Sequence, residues 1–167
     1  YPMYDHLLSN NPLNKELQPM LAAEWSVGSD GKNWDFKLRE GVPFHNGGEF
    51  TTKDVVKTWD LIMEIGSDNR IGAINLVYQK MGGTPESINN IEVHNDYEFT
   101  FQLVEPYLDL GYVVSEDLQF LQVSADHFDS VGLEGYKADP VGTGPFKFRE
   151  LRVNQHILYE RFKEKGD

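Results

Sequence analysis

Strict alternation in two short stretches leaves this chain few ways to fold. Trp34, Phe36 and Leu38 take turns with Asp35, Lys37 and Arg39, and Tyr97, Phe99, Phe101 and Leu103 do the same with Glu98, Thr100 and Gln102. A period of two with one apolar face marks a half-buried strand, because successive side chains leave opposite faces of a pleated backbone. Each stretch also has a partner across a turn. Leu21 to Val27 leads into the first through Gly28-Ser29-Asp30-Gly31-Lys32-Asn33, and Ile91-Glu92-Val93-His94 leads into the second through Asn95-Asp96. Gly, Asn and Asp tolerate the left-handed dihedrals such turns require. Two hairpins are expected, the second closed by Pro106, which has no N–H to give a ladder.

Between the hairpins lies the strongest helix signal. Thr51 is placed to cap the amide of Asp54, and Asp54 to answer as a short-armed capping box. Phe50 and Val55 are spaced as a hydrophobic staple. Val55, Trp59 and Ile62 form one apolar stripe, with Val56 and Met63 beside it, and Gly66 is expected to end the helix. A weaker helix is expected from about Asn69 to Met81, where Ile71, Ile74, Tyr78 and Met81 recur at spacings of three and four around Gly72. Tyr107 to Val114 reads as a short helix, Leu118 to Val123 as a short strand, and Ser124 as the cap of one further turn. Tyr4 to Leu8 reads as a strand, and Phe146 to Arg149 pairs with Ile157 to Tyr159. Hairpins with helices interspersed make an α+β domain, a mixed or antiparallel sheet covered by a few packed helices. At 167 residues the chain is a single domain, expected to fold alone as a monomer.

Composition removes several functions. A net charge of −12 argues against a nucleic-acid surface, which needs clustered Lys and Arg. No apolar run approaches the length of a membrane span. There is no cysteine, so disulfides and thiolate chemistry are excluded. His6, His45, His94, His127 and His156 stand far apart, without the i, i+4 pairing of a zinc helix, and no metal or cofactor is expected. Gly142-Thr143-Gly144-Pro145 lacks the lysine of a phosphate loop, and Pro145 removes an amide that would hold an anion; it reads as a tight turn. No Gly-x-Ser-x-Gly elbow occurs, and no catalytic residue is assigned. Acids concentrate between Glu105 and Asp139, where they read as a solvated surface.

The motifs go further than the physics. Leu21-Ala22-Ala23-Glu24-Trp25, Asp30-Gly31-Lys32, and Phe36-Lys37-Leu38-Arg39-Glu40-Gly41-Val42-Pro43-Phe44-His45-Asn46-Gly47 resemble the signature of the bacterial family 5 extracellular solute-binding proteins. Phe50 to Val56, Ile91 to Pro106 and Pro140-Val141-Gly142-Thr143-Gly144-Pro145-Phe146 are similar to the blocks that follow in that family, in the same order. The chain departs from the pattern at Asn46, where Asp is usual, at Gly48-Glu49, and at Phe162-Lys163-Glu164.

The resemblance implies the inserted domain of the first lobe of a type II periplasmic-binding-protein-like receptor, with its flanking connecting strands and without the second lobe. It implies a peptide or related small solute as ligand in the full-length protein and the membrane permease of an ABC importer as partner. The implied location is periplasmic or on the cell surface, the leader being absent from this chain. A ligand-sensing module that reuses the same fold is the alternative. Within the chain, Tyr78 is the candidate ligand-binding side chain, placed at the end of the weaker helix before Gly82-Gly83, with Asn69 and Arg70 behind it.

Overall fold

The computed structural model describes residues 2–69 and 90–162, with only the main chain given for 65–69. Strands β1 (Leu8–Asn10) and β2 (Leu17–Pro19) pair antiparallel. They precede the first expected hairpin, β3 (Ala22–Val27) and β4 (Asn33–Leu38), and helix α1 (Thr52–Asn69) follows. The second hairpin is β5 (Ile91–Asn95) and β6 (Glu98–Gln102). β6 also pairs with β4, which joins the hairpins into one antiparallel sheet of order β3-β4-β6-β5. The register sets Trp34 opposite Phe101 and Phe36 opposite Phe99. All the large residues of the alternating stretches therefore fall on one face.

That face is the core. Trp34, Phe36, Leu38, Phe99 and Phe101 are buried, and α1 lies across them with Val55, Trp59, Ile62 and Met63. The Phe36 ring stacks on Phe99 at 5.2 Å, and the Trp59 ring sits 4.5 Å from Phe101 and 5.6 Å from Phe120. Such aromatic contacts add to the large area each ring removes from water. Phe50 and Val55 are both buried, as a staple requires. Trp25 packs against the cluster but is only half-buried at the sheet edge, so it covers the core rather than filling it.

The start of α1 corrects the expected cap. The Thr51 hydroxyl donates to the Asp54 carboxylate at 3.4 Å, and the Asp54 amide approaches the Thr51 carbonyl at 3.1 Å. Only the reciprocal half of the capping box forms, with the Thr51 amide donating to Asp54 Oδ2 at 2.9 Å. The other carboxylate oxygen accepts from the Ala125 amide at 2.8 Å. Ala125 opens a later helix, so one buried carboxylate satisfies the amide ends of two helices.

Other elements shift from expectation. α1 runs through Gly66 to Asn69, because a single glycine weakens a helix by only about 1 kcal/mol and no proline follows. Helix α2 (Leu110–Glu116) starts three residues later than Tyr107. Leu118–Phe120 is a 3-10 turn where a strand was expected; the Asp117 carboxylate accepts from the Gln119 amide and fixes the turn. Ser124 does cap a helix, but α3 (Ala125–Ala138) is 14 residues long, broken at Gly132, whose φ of 67° suits a residue without a Cβ. Lys53 pairs with Asp126 and Lys57 with Asp129, so two of the clustered acids face the lysines of α1. The expected helix from Asn69 to Met81 lies outside the described residues beyond Asn69.

The last hairpin, β7 (Phe146–Arg152) and β8 (His156–Arg161), forms a separate two-stranded ribbon. Asn154 takes φ 61° in its turn. Residues 2–7 form a cord that ties ribbon to body; the strand expected from Tyr4 starts only at Leu8. The carbonyls of Pro2 and Met3 accept from the amides of Phe146 and Gly144, and the Asp5 and Leu7 carbonyls accept from the amides of Gln122 and Ala22. These long-range bonds satisfy the cord's main chain, so it needs no sheet of its own.

Candidate functional site

The three residues singled out by sequence lie at or beyond the edge of the described residues. Asn69 is the last described residue of α1, with its side chain undescribed, and Arg70 and Tyr78 lie outside the described residues. Among the features the structure does place are a polar trough, an apolar groove and one buried polar seam.

The first concavity is a trough of about 350 Å3 on the outer face of the four-stranded sheet. Its polar walls are Glu24, Ser26, Asp35, Lys37, His94 and Glu98. These are the residues that alternation sends away from the core. A hydrogen-bonded row crosses the strands there. Thr100 donates to Asp35 Oδ1 at 2.6 Å, Ser26 donates to Asp35 Oδ2 at 3.3 Å, and His94 Nε2 lies 2.8 Å from the Thr100 hydroxyl. Asp35 only accepts, so the single Thr100 proton goes to it, and His94 Nε2 must be the donor to the Thr100 oxygen. The imidazole therefore holds the hydroxyl as an acceptor and is not placed to take its proton. The row is a cross-strand tie, not a relay that activates a nucleophile.

The second concavity is an apolar groove of about 320 Å3 between α1 and the segment after α2. Leu61 and Ile62 of α1 face Leu118, Leu121 and Val123, with Tyr4 at one side. The same helix carries Asn69 further along. Neither concavity assembles a nucleophile, base and oxyanion donor, the set an acyl-transfer site needs. Among the described residues no cluster of histidine and carboxylate side chains is arranged to hold a metal ion, and no helix is long and apolar enough to cross a membrane.

The seam lies where the cord, the loop before α1 and the loop before β7 meet. His45 is 5% exposed, and both ring nitrogens face the glycine loop. Nε2 is 2.7 Å from the Gly144 carbonyl, and Nδ1 accepts from the Gly142 amide at 3.3 Å. The backbone repeats the tie, His45 N–H donating to the Gly142 carbonyl at 3.0 Å. A Cβ on Gly142 would collide with the Met3 carbonyl oxygen, so that position needs glycine. Burial pushes the His45 imidazole below the ordinary histidine value, against the Gly144 carbonyl, which favours the charged form. His6 is lowered in the same way by burial while Nε2 donates to the Asp117 carbonyl at 3.0 Å. Nearby, half-buried Tyr4 meets buried Tyr136, and both hydroxyls are held above the phenol range by desolvation. The sequence reading treats His45 as one scattered histidine. Its signal was the pairing of two turn motifs, Phe44-His45-Asn46-Gly47 and Gly142-Thr143-Gly144, which only the fold brings together.

Comparison with known proteins matches this architecture as a unit. The family described as "Bacterial extracellular solute-binding proteins, family 5 Middle" matches residues 16–166. The dipeptide-binding protein of Escherichia coli K12 is 26% identical over 96% of this chain and 32% of its own length. The oligopeptide-binding protein AppA of Bacillus subtilis is 31% identical over 78% of this chain and 23% of its own. Among solved structures, the ABC transporter-associated periplasmic binding protein DppA of Helicobacter pylori, in complex with the peptide STSA, superposes with a TM-score of 0.76. It is 27% identical and is covered over 34% of its length by 97% of this chain. The chain thus spans about a third of the length of the first of these curated relatives.

Proposed function

The chain belongs to the bacterial extracellular solute-binding proteins of family 5, and on that footing we propose that it is part of the substrate-binding subunit of an ABC importer for peptides or related small solutes. The observation that carries this reading is that one family match and one backbone likeness to a peptide-bound receptor run together over nearly the whole chain. The subunit works outside the cytoplasm, hands its cargo to a membrane permease, binds no nucleic acid and acts as a monomer without catalysis of its own. The hydroxyl–carboxylate row on the outer sheet face, with its imidazole held as a donor, agrees with a binding role.

The chain is the inserted domain of the first lobe together with its connecting strands, and the ligand lies between that lobe and a second one. Support comes from the ribbon. An isolated two-stranded ribbon is marginal in water, and Leu151, Val153, Ile157 and Leu158 on this one are at least half exposed. Strands of a larger sheet would have that character. Tyr78 reaches the cleft, with Asn69 and Arg70 behind it.

Calorimetric titration tests the reading. The full-length protein should bind short peptides saturably, and the 167-residue chain should not, because a single face leaves the ligand solvated and its ordering cost unrecovered. Tight binding or peptide cleavage by the chain alone would overturn it. In the full-length protein Tyr78→Ala should weaken binding, and an unchanged dissociation constant would remove Tyr78 from the site.

A further inference from the structure

We propose that His45 is an acid-releasable latch that fixes the β7–β8 ribbon at one angle to the body of the domain. The inference stands on geometry within this chain and does not depend on the nature of the ligand. Much of what holds the ribbon to the body converges on one residue. The His45 ring donates through Nε2 to the Gly144 carbonyl and accepts through Nδ1 from the Gly142 amide. Its own carbonyl accepts from the Lys147 ammonium of β7 at 3.1 Å. Phe162, just past β8, lays its ring edge-on to the imidazole at 4.8 Å, and its amide donates to the Pro145 carbonyl at 2.8 Å. Beyond these ties and the cord's bonds to Gly144 and Phe146, the ribbon is largely exposed.

The pattern requires a neutral ring with its proton on Nε2. Adding a proton turns Nδ1 from acceptor to donor, so it faces the Gly142 N–H donor to donor. The new charge also sits beside the Lys147 ammonium, which opposes it, while Asp5 of the cord favours it. Among the described residues the remaining walls add no free charge at the ring: the Gly142–Gly144 loop has none, Phe162 is apolar, and the Tyr4 hydroxyl is engaged with Tyr136. Burial reinforces the neutral form, which sets the release below the ordinary imidazole range. The Gly142 bond of the seam is then lost and Lys147 opposes the charged ring, leaving the bond to Gly144 as its one hold on the loop, while the buried core cluster of the body is made of side chains that do not titrate.

Because the protein has no cysteine, a Leu13→Cys, Val153→Cys pair gives two unique labelling positions, one on the exposed β1–β2 loop and one on the exposed ribbon turn. Electron-spin distance measurements should give one narrow distribution at neutral pH and a broad one in acid. Nitrogen NMR of the His45 ring should titrate over the same interval with the body still folded. His45→Gln, which cannot titrate, should abolish the acid transition. His45→Ala should broaden the distribution at every pH and speed amide exchange at Gly142 by about tenfold, the scale of one lost hydrogen bond. His6→Gln should leave the transition in place. A distribution that stays narrow through the His45 titration, an acid transition that survives in His45→Gln, or one that vanishes in His6→Gln overturns the proposal.

Discussion

The body and the ribbon are both built from antiparallel hairpins, yet one closes on itself and the other does not. In the sheet β3-β4-β6-β5 the large residues of the alternating stretches join the stripe of α1 in one core, and Trp59 is 1% exposed. In the ribbon, Leu151 faces Ile157 across the strands and both remain more than half exposed. The same local pattern therefore yields a core in one place and an open face in the other. What differs is the third element: the body has a helix whose stripe matches its sheet, and the ribbon has only the seam. Strand pairing sets register, but burial of apolar area supplies most of the stability.

The sharpest way to break that contrast is at Trp59. Trp59→Ala should destabilise the chain by about 3–5 kcal/mol through the cavity left under α1, measured by the denaturant midpoint. A neutral result would mean the body is no better packed than the ribbon. Asp54→Ala comes next, at about 2–3 kcal/mol, because the amides of Thr51 and Ala125 lose their shared acceptor in a buried place. Thr51→Ala should cost only about 0.5 kcal/mol, since its hydroxyl makes a long contact and caps no amide. Equal effects of the two would restore the cap as first read.

Gly142→Ala attacks the seam and should cost about 1–3 kcal/mol by overpacking against the Met3 carbonyl. Its mark should be local: amide exchange should rise in β7 and β8 while β4 and β6 stay protected. Acid gives a smaller, graded effect. His6 and His45 are neutral in both folded and unfolded states at high pH. As pH falls below the ordinary value of 6.5, the unfolded chain takes up protons that the folded one resists, so stability is lost toward acid. Unfolding curves at several pH values should show this slope, and His45→Gln should reduce it. Smallest of all, Leu151→Ala should change stability by less than about 0.5 kcal/mol, as for a surface position. A large loss there would show that the ribbon already has a buried face.

The elements legible in the sequence are those whose partner is near in the chain. Both hairpins of the sheet, the stripe of α1, the Ser124 cap and the β7–β8 pair follow from alternation, turn residues and spacing, which act over a dozen residues. Leu118 to Val123 misled because its apolar residues suit a strand, while the Asp117 side chain decided for a tight turn. Ser124 revealed where a helix starts but not that it continues past a kink at Gly132. Of the candidate site, the sequence pointed to Tyr78, Asn69 and Arg70, whereas the seam at His45 depends on a carbonyl and an amide nearly a hundred residues away. No window along the chain contains that information.

The cord of residues 2–7 has a consequence for the order of events during folding. Pro2, Met3, Asp5 and His6 find their partners at Phe146, Gly144, Gln122 and Asp117, so each of these ties joins residues more than a hundred positions apart. Hairpins and α1 close short loops and are free to form early, but the cord must wait for a loop of more than a hundred residues to close. The hairpins and α1 can therefore be complete while the cord is still loose, and its docking onto distant loops is a late step of folding.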